Sequence, residues 1–450
     1  MDGRMRRVLA MLAVLSVPAV ASAQTATKCA PDNLGIKLLP GFCLSLFADS
    51  IAQPRQFAVA ANGDVFVAAQ GGRGGGGGII ALRDANGDGR AEVRDVFESS
   101  ANSSHVGLFE GYLYTEAMAP SLPRGQAPGG SGRTSAIVRY PMKAGELKPS
   151  GPPDTIVQGL PASGAHQSRN FAIGRDGALY VNIGSATNNC SNPDRIPRTP
   201  GTNPCVELET RAGIWKFDAR KKNQTPSASS HFARGIRNAV GITINPADGK
   251  LYATQHGRDD LQGWFAQLGM DSVAALKFGA ENPAEELLQV NQGDDFGWPY
   301  CFYSLVERKL VQAPEYGGDG KKVGDCASKK EPIATFPGHW APDALFFYTG
   351  STFPARYKNG AFIAFHGSWN RAPEPQAGYN VVFQPLRDGA AVGRYEVFAD
   401  NFAPNIAAGR GGTGSRRPTG LGQTIDGGLL VADDAGGKVY KIVYTGTGRP

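Results

Sequence analysis

The stretch FAIGRDGALYVNIG, from Phe171 to Gly184, decides the fold: two short apolar runs flank Arg-Asp-Gly, the signature of a tight β-hairpin. The same pattern recurs at Phe57 to Ala68, Val106 to Glu116, Val240 to Gly257, Ala344 to Gly367 and Gly420 to Ala435. The turn glycines Gly63, Gly111, Gly177, Gly249, Gly360 and Gly427 are separated by 48, 66, 72, 111 and 67 residues. After each hairpin comes another β-rich piece: IIALRD, SAIVRYP, AGIWKFD, ELLQV, NVVFQPL or KVYKIVY. A hairpin extended in this way grows into a four-stranded sheet. Six such sheets repeated around an axis make an all-β, six-bladed β-propeller. The widest interval holds WFAQLGMDSVAALKF and AEELL, which predict short helical insertions between Gly263 and Leu288, lying over one face.

The ends of the chain and its cysteines bear on where the protein works. Arg4, Arg6 and Arg7 precede an apolar run from Val8 to Val20 and then Ala21-Ser22-Ala23, the pattern of a cleaved secretory signal over residues 1–23. Residues 24–450 are then one propeller domain, secreted or periplasmic. Without the leader's three Arg and one Asp the net charge falls from +6 to +4, too mild a balance for a nucleic-acid binder. No later run reaches the roughly 18 apolar residues of a membrane span. Cys29, Cys43, Cys190, Cys205, Cys301 and Cys326 form three sequential pairs, so local disulfides are the simplest of the fifteen connectivities. No C-x-x-C or C-x-x-C-H occurs, which argues against a thiolate metal site and excludes covalent c-type haem.

Several formal motifs have simpler readings. The G-x-G-x-x-G matches at Gly72 to Gly77 and Gly409 to Gly414 do not open helices, as a dinucleotide site requires. G-x-S-x-G and H-E-x-x-H are absent. Asp84, Asn86, Asp88, Gly89 and Asp95 fit a Ca²⁺ loop by spacing, but the absence of flanking helical patterns favours a plain hairpin turn.

The sharper signal stands at the heads of the inner strands. Arg55, His105, His166-Gln167, Arg237-Asn238, Trp340 and Arg416-Arg417 each precede one, and His366 ends the strand AFIAFH. Each alone reads as an ordinary solvated or paired residue. In a propeller, however, the inner strands start at one rim, so together these side chains predict a cationic, flat-walled axial pocket suited to a planar polyanion.

With those residues and with GAHQSRNFAIGRDGALYVNIGS, ETRAGIWKFDA, ARGIRNAVGI, LYATQHGRDD, DDFGWPYC, AFIAFHGSWNR and RRPTGLG, the chain resembles the soluble pyrroloquinoline-quinone (PQQ)-dependent glucose and sorbosone dehydrogenases over nearly its whole mature length. The resemblance implies His166 as general base and Arg237 with Asn238 at the quinone oxygens. It also implies Ca²⁺ on the backbone carbonyls of Gly257 and Arg258, with Arg417, Arg55 and His366 as further cofactor contacts. Gln167 and Trp340, which also head inner strands, complete the expected cofactor set. His366 and Arg258 stand where the glucose enzymes have Lys and Pro, so the substrate is left as an aldose, a sugar aldehyde or a related alcohol. The electron acceptor, soluble or membrane-bound, is not specified. A Ca²⁺-dependent propeller lactonase and a non-catalytic binding propeller are the rival readings; the lactonase would need acidic side chains around an axial metal.

Overall fold

The computed structural model describes residues 27–71, 77–97, 103–118, 134–404, 406 and 414–446. The expected signal at 1–23 lies outside them, as do most of the two formal glycine motifs. Among the described residues, six antiparallel sheets follow one another around an axis. Their inner strands are Pro54–Val59, Val106–Phe109, Phe171–Ile173, Ile242–Ile244, Pro342–Phe347 and Pro418–Gln423. Each neighbours the next in sequence order, and the last packs against the first, closing the ring.

Closure comes from the N-terminal part of the chain. Phe42–Ala48 forms the outermost strand of blade six, pairing antiparallel with Lys438–Tyr444, so both ends of the chain share one sheet. Lys37–Leu38 adds a fifth strand to blade five. A propeller closed in this way exposes no long unpaired edge at the junction.

The alternation of strand residues explains why the blades stack. Val65 and Val67 pack toward blade six, whereas Phe66 and Ala68 pack toward blade two. Period-2 geometry makes one strand serve two interfaces. Six apolar clusters result, one per interface between adjacent blades. At the interface between blades five and six Phe42 sits edge-on to Phe353 and Phe398, each at 4.8 Å between ring centroids. Edge-to-face pairs of this kind add about 0.5–1.5 kcal/mol beyond area burial.

Five of the six turn glycines hold positive φ; in blade five Asn359 (φ 62°) occupies the left-handed position and Gly360 does not. The helical expectation holds only in its first part. α1 (Gln262–Gln267) and α2 (Ser272–Glu281) form, with the Asp271 carboxylate capping α2 through the amides of Val273 and Ala274. AEELL instead enters the strand Glu285–Val290, because blade four needs a third strand and both faces of that run are buried. The two helices pack on the hairpin Cys301–Ser304/Lys309–Gln312 through Leu261, Phe265, Phe302 and Val311. All three sequential disulfides are present: Cys29–Cys43, Cys190–Cys205 and Cys301–Cys326.

The Asp84 segment is a turn joining the strands Gly78–Arg83 and Val93–Phe97. Both Asp84 carboxylate oxygens accept amide protons, from Gly87 and Gly89, at 2.8 Å. Asp95 lies on the following strand and pairs with Lys148.

Candidate active site

The inner strands begin at one rim, where blades one, three, four, five and six bring their polar residues together. His166 stands on the loop entering blade three. Its Nδ1 is 2.9 Å from the Ser185 carbonyl oxygen and 3.0 Å from the Ser185 hydroxyl, which itself donates to the Thr187 carbonyl at 2.6 Å. A carbonyl oxygen only accepts, so Nδ1 carries the proton and Nε2 is left as an acceptor. Burial lowers the imidazole pKa well below 6.5, and the nearby positive charge of Arg237 pushes the same way. The structure thus holds the imidazole neutral further into acid than a free one. Beneath the ring, a Cβ at Gly184 would lie 2.6 Å from His166 Cβ and 2.9 Å from Asn238 Oδ1, so glycine makes room for the base.

Arg237 is buried and locked. Its guanidinium donates to the Asn188 carbonyl (3.1 Å), Asn188 Oδ1 (3.0 Å), the Gly257 carbonyl (3.0 Å) and Asp259 (3.2 Å). Its own carbonyl accepts from the Ser185 amide at 2.8 Å, which couples it to the loop that orients His166. Asn238 is buried beside them, accepting from Asn182 at 3.3 Å. Asp259 is held well below the usual carboxylate range: burial alone would raise it, but His339, Arg237 and Arg195 outweigh that.

Across the rim, Arg55 bridges two carboxylates, Asp343 at 2.6 Å and Asp434 at 2.7 Å. His366 lies 3.0 Å from Asp434 and 3.6 Å from Asp343, and His256 is 3.2 Å from Asp343. Burial opposes charge on Asp343, yet Arg55, His366 and His256 drive its pKa far down. Arg417 donates to the carbonyls of His366 (2.9 Å) and Gly367 (2.7 Å), with its guanidinium carbon 5.7 Å from the centre of the Tyr379 ring.

The pocket is therefore not the purely cationic one that the strand heads suggested. Asp259, Asp343 and Asp434 share the rim and neutralise part of its charge. These partners escaped the sequence because Arg55 meets Asp343 and Asp434 across 288 and 379 residues, a distance that leaves no local pattern. Three candidates also sit differently from expectation. The Trp340 ring is partly buried and packs edge-on to Phe365 at the margin of the apolar cluster between blades four and five. Gln167 is exposed and donates to Gly164 of its own loop at 3.0 Å. His105 sinks below the rim against Phe171, lining a separate axial cavity of about 410 Å³, and its burial lowers the pKa to about 3.

The Gly257 carbonyl faces Arg237, and the Gly257 amide donates to Glu285 at 2.9 Å. Arg258 turns its guanidinium away, to a buried ion pair with Glu315. Among the described residues, the one trio of acidic, His or Cys side chains with ligand atoms within 4.8 Å of one another is Asp84, Asp88 and Glu92, on the outer hairpin of blade one. The axial carboxylates converge on Arg and His, not on a common metal position.

The TrAA12-like family model matches residues 36–445. An uncharacterized protein of Borreliella burgdorferi is 29% identical over 215 residues, covering 47% of this chain and 48% of that protein. A pyrroloquinoline quinone-dependent pyranose dehydrogenase of Coprinopsis cinerea is 27% identical over 262 residues, covering 51% of this chain and 34% of that protein. The chain thus spans about half or less of the length of these curated relatives. The solved structure of the Trichoderma reesei Carbohydrate-Active Enzymes Family AA12 protein superposes with a TM-score of 0.70 at 18% identity, covering 91% of this chain and 97% of that one. Among the described residues no helix is long and apolar enough to cross a membrane.

Proposed function

The chain belongs to the TrAA12-like family, and from that premise we propose that it is a PQQ-dependent dehydrogenase that oxidises an aldose, a sugar aldehyde or a related alcohol. The observation that carries the reading is His166: a neutral imidazole, fixed at Nδ1 by Ser185, with Nε2 left to accept a proton beside the buried Arg237. Bound at the rim, the quinone would supply the hydride acceptor that no side chain can be.

The residues present fit such a group. Arg55 Nε is buried without a partner among the described residues, and Arg417, Arg237 and Asn238 add donors suited to a flat, acidic molecule. A Ca²⁺ ion would rest on the carbonyl oxygens of Gly257 and Arg258, hard donors of the kind that ion prefers. The chain's own work is proton transfer and positioning. His166 Nε2 takes the proton of the substrate hydroxyl, and the Ser185 carbonyl stabilises the imidazolium through Nδ1. Arg237 keeps its charge at the site because Asn188, Gly257 and Asp259 fix it there.

The lactonase alternative is less well supported, since each axial carboxylate is engaged by Arg or His. Three disulfides support export, which sequencing of the mature N-terminus would test. The activity itself is tested by loading purified protein with the quinone and Ca²⁺ and following dye reduction with a sugar and aldehyde panel. Turnover that requires the quinone supports the proposal; ester or lactone hydrolysis without it refutes it.

A further inference from the structure

A cavity of about 580 Å³ opens beside the axial site, beneath α1 and α2. That volume lies within the range of small-ligand sites. One layer of hydrogen bonds separates it from Arg237. Asn188, in its wall, accepts from both Arg237 and the Asp259 amide, and Asn370 donates to Asp259 at 2.7 Å.

The lining has a definite chemistry. Trp369 is 45% exposed and Trp264 half-buried, so indole surface faces a cavity lined also by Ile196, Pro197 and Leu276 and by amide and charged groups of both signs. Glu315 and Asn189 also line it, each only 6% exposed, and Glu315 Oε1 and Asn189 Oδ1 have no partner among the described residues. Carboxylate and carbonyl oxygens only accept, so the missing partners are donors, and an anionic ligand would repel them. A flat apolar face combined with many hydroxyl donors describes a pyranose ring. The concave shape suits such a ring better than the flat contact of a protein electron acceptor.

We propose that this cavity is a subsite for a second sugar ring, stacked on Trp369, so that the preferred substrate is an oligosaccharide whose terminal ring is oxidised at the axial site. The proposal rests on the dehydrogenase reading above. Its test combines calorimetry on the quinone-free protein with steady-state kinetics on the loaded enzyme, using glucose, cellotriose and maltotriose. Wild-type protein is expected to bind at least one trisaccharide about tenfold more tightly than glucose, and to show a correspondingly lower KM with kcat little changed. Trp369→Ala should abolish that difference and Trp369→Phe should keep part of it. The solvent exposure of Trp369 makes both variants compatible with folding, which circular dichroism would confirm. Equal affinity for glucose and both trisaccharides, or a preference that survives in Trp369→Ala, overturns the subsite while leaving the dehydrogenase reading intact. A loaded wild-type enzyme that oxidises no sugar overturns both.

Discussion

His166 and Gly184 act as a unit: one side chain accepts the proton, and the missing side chain of the other leaves it room. If His166 is the base, His166→Ala retains quinone binding while turnover falls about 10²- to 10⁴-fold; unchanged turnover in stopped-flow assays would remove the assignment. The acid dependence follows from the sign of the shift. A general base works unprotonated, and a pKa lowered by burial and by Arg237 keeps it unprotonated below pH 6.5. The acid limb of kcat/KM should therefore fall below pH 6.5, and an inflection at or above that value in wild-type enzyme contradicts this environment. Gly184→Ala places a methyl group 2.6 Å from His166 Cβ. Turnover should drop on the order of 10- to 100-fold through misplacement of the ring, with the fold retained. His166 was legible because it heads an inner strand; Gly184 was not, because the requirement lies in a contact between loops.

At the scale of elements, the rim is tied together by ion pairs between strand ends and the ring is closed by a terminal strand. Asp343 joins Arg55 of blade one to His256 of blade four and His366 of blade five. Asp343→Asn leaves a buried guanidinium with one fewer counter-charge and should cost about 3–5 kcal/mol in denaturant unfolding. Both Asp343 and Asp434 titrate below the ordinary 3.8. Their contribution is thus complete above about pH 5 and is lost progressively as pH falls from there through the lower folded-state values. Stability lost between pH 5 and 7 in wild-type protein, but not in the variant, would contradict this. Closure depends on Phe42–Ala48, which Cys29–Cys43 anchors across 14 residues. Replacing both cysteines by serine should lower stability by about 3 kcal/mol, the entropy of a loop that size, measured by chemical denaturation. Inner and third strands were readable because apolar runs and turn residues are local signals. The closing partner was not readable, since β-pairing across the whole chain carries no period, and AEELL was partly misread because a short apolar run fits helix and strand alike.

For the whole molecule, six repeats of one hairpin pattern specify six blades, and the starts of the inner strands specify where chemistry can gather. The positive half of the site stood out, since Arg and His at strand heads are conspicuous. The negative half emerged only on folding, when Asp259, Asp343 and Asp434 arrived from other blades. Quinone binding tests the functional account most directly, by calorimetric titration of PQQ into Ca²⁺-loaded wild-type protein and into Arg417→Ala. One quinone should bind per wild-type chain, and the variant should bind more than about tenfold more weakly, since removing one partner of a buried charge pair costs about 2–5 kcal/mol. No heat of binding with wild-type protein would contradict the cofactor assignment and, with it, the proposed dehydrogenase activity.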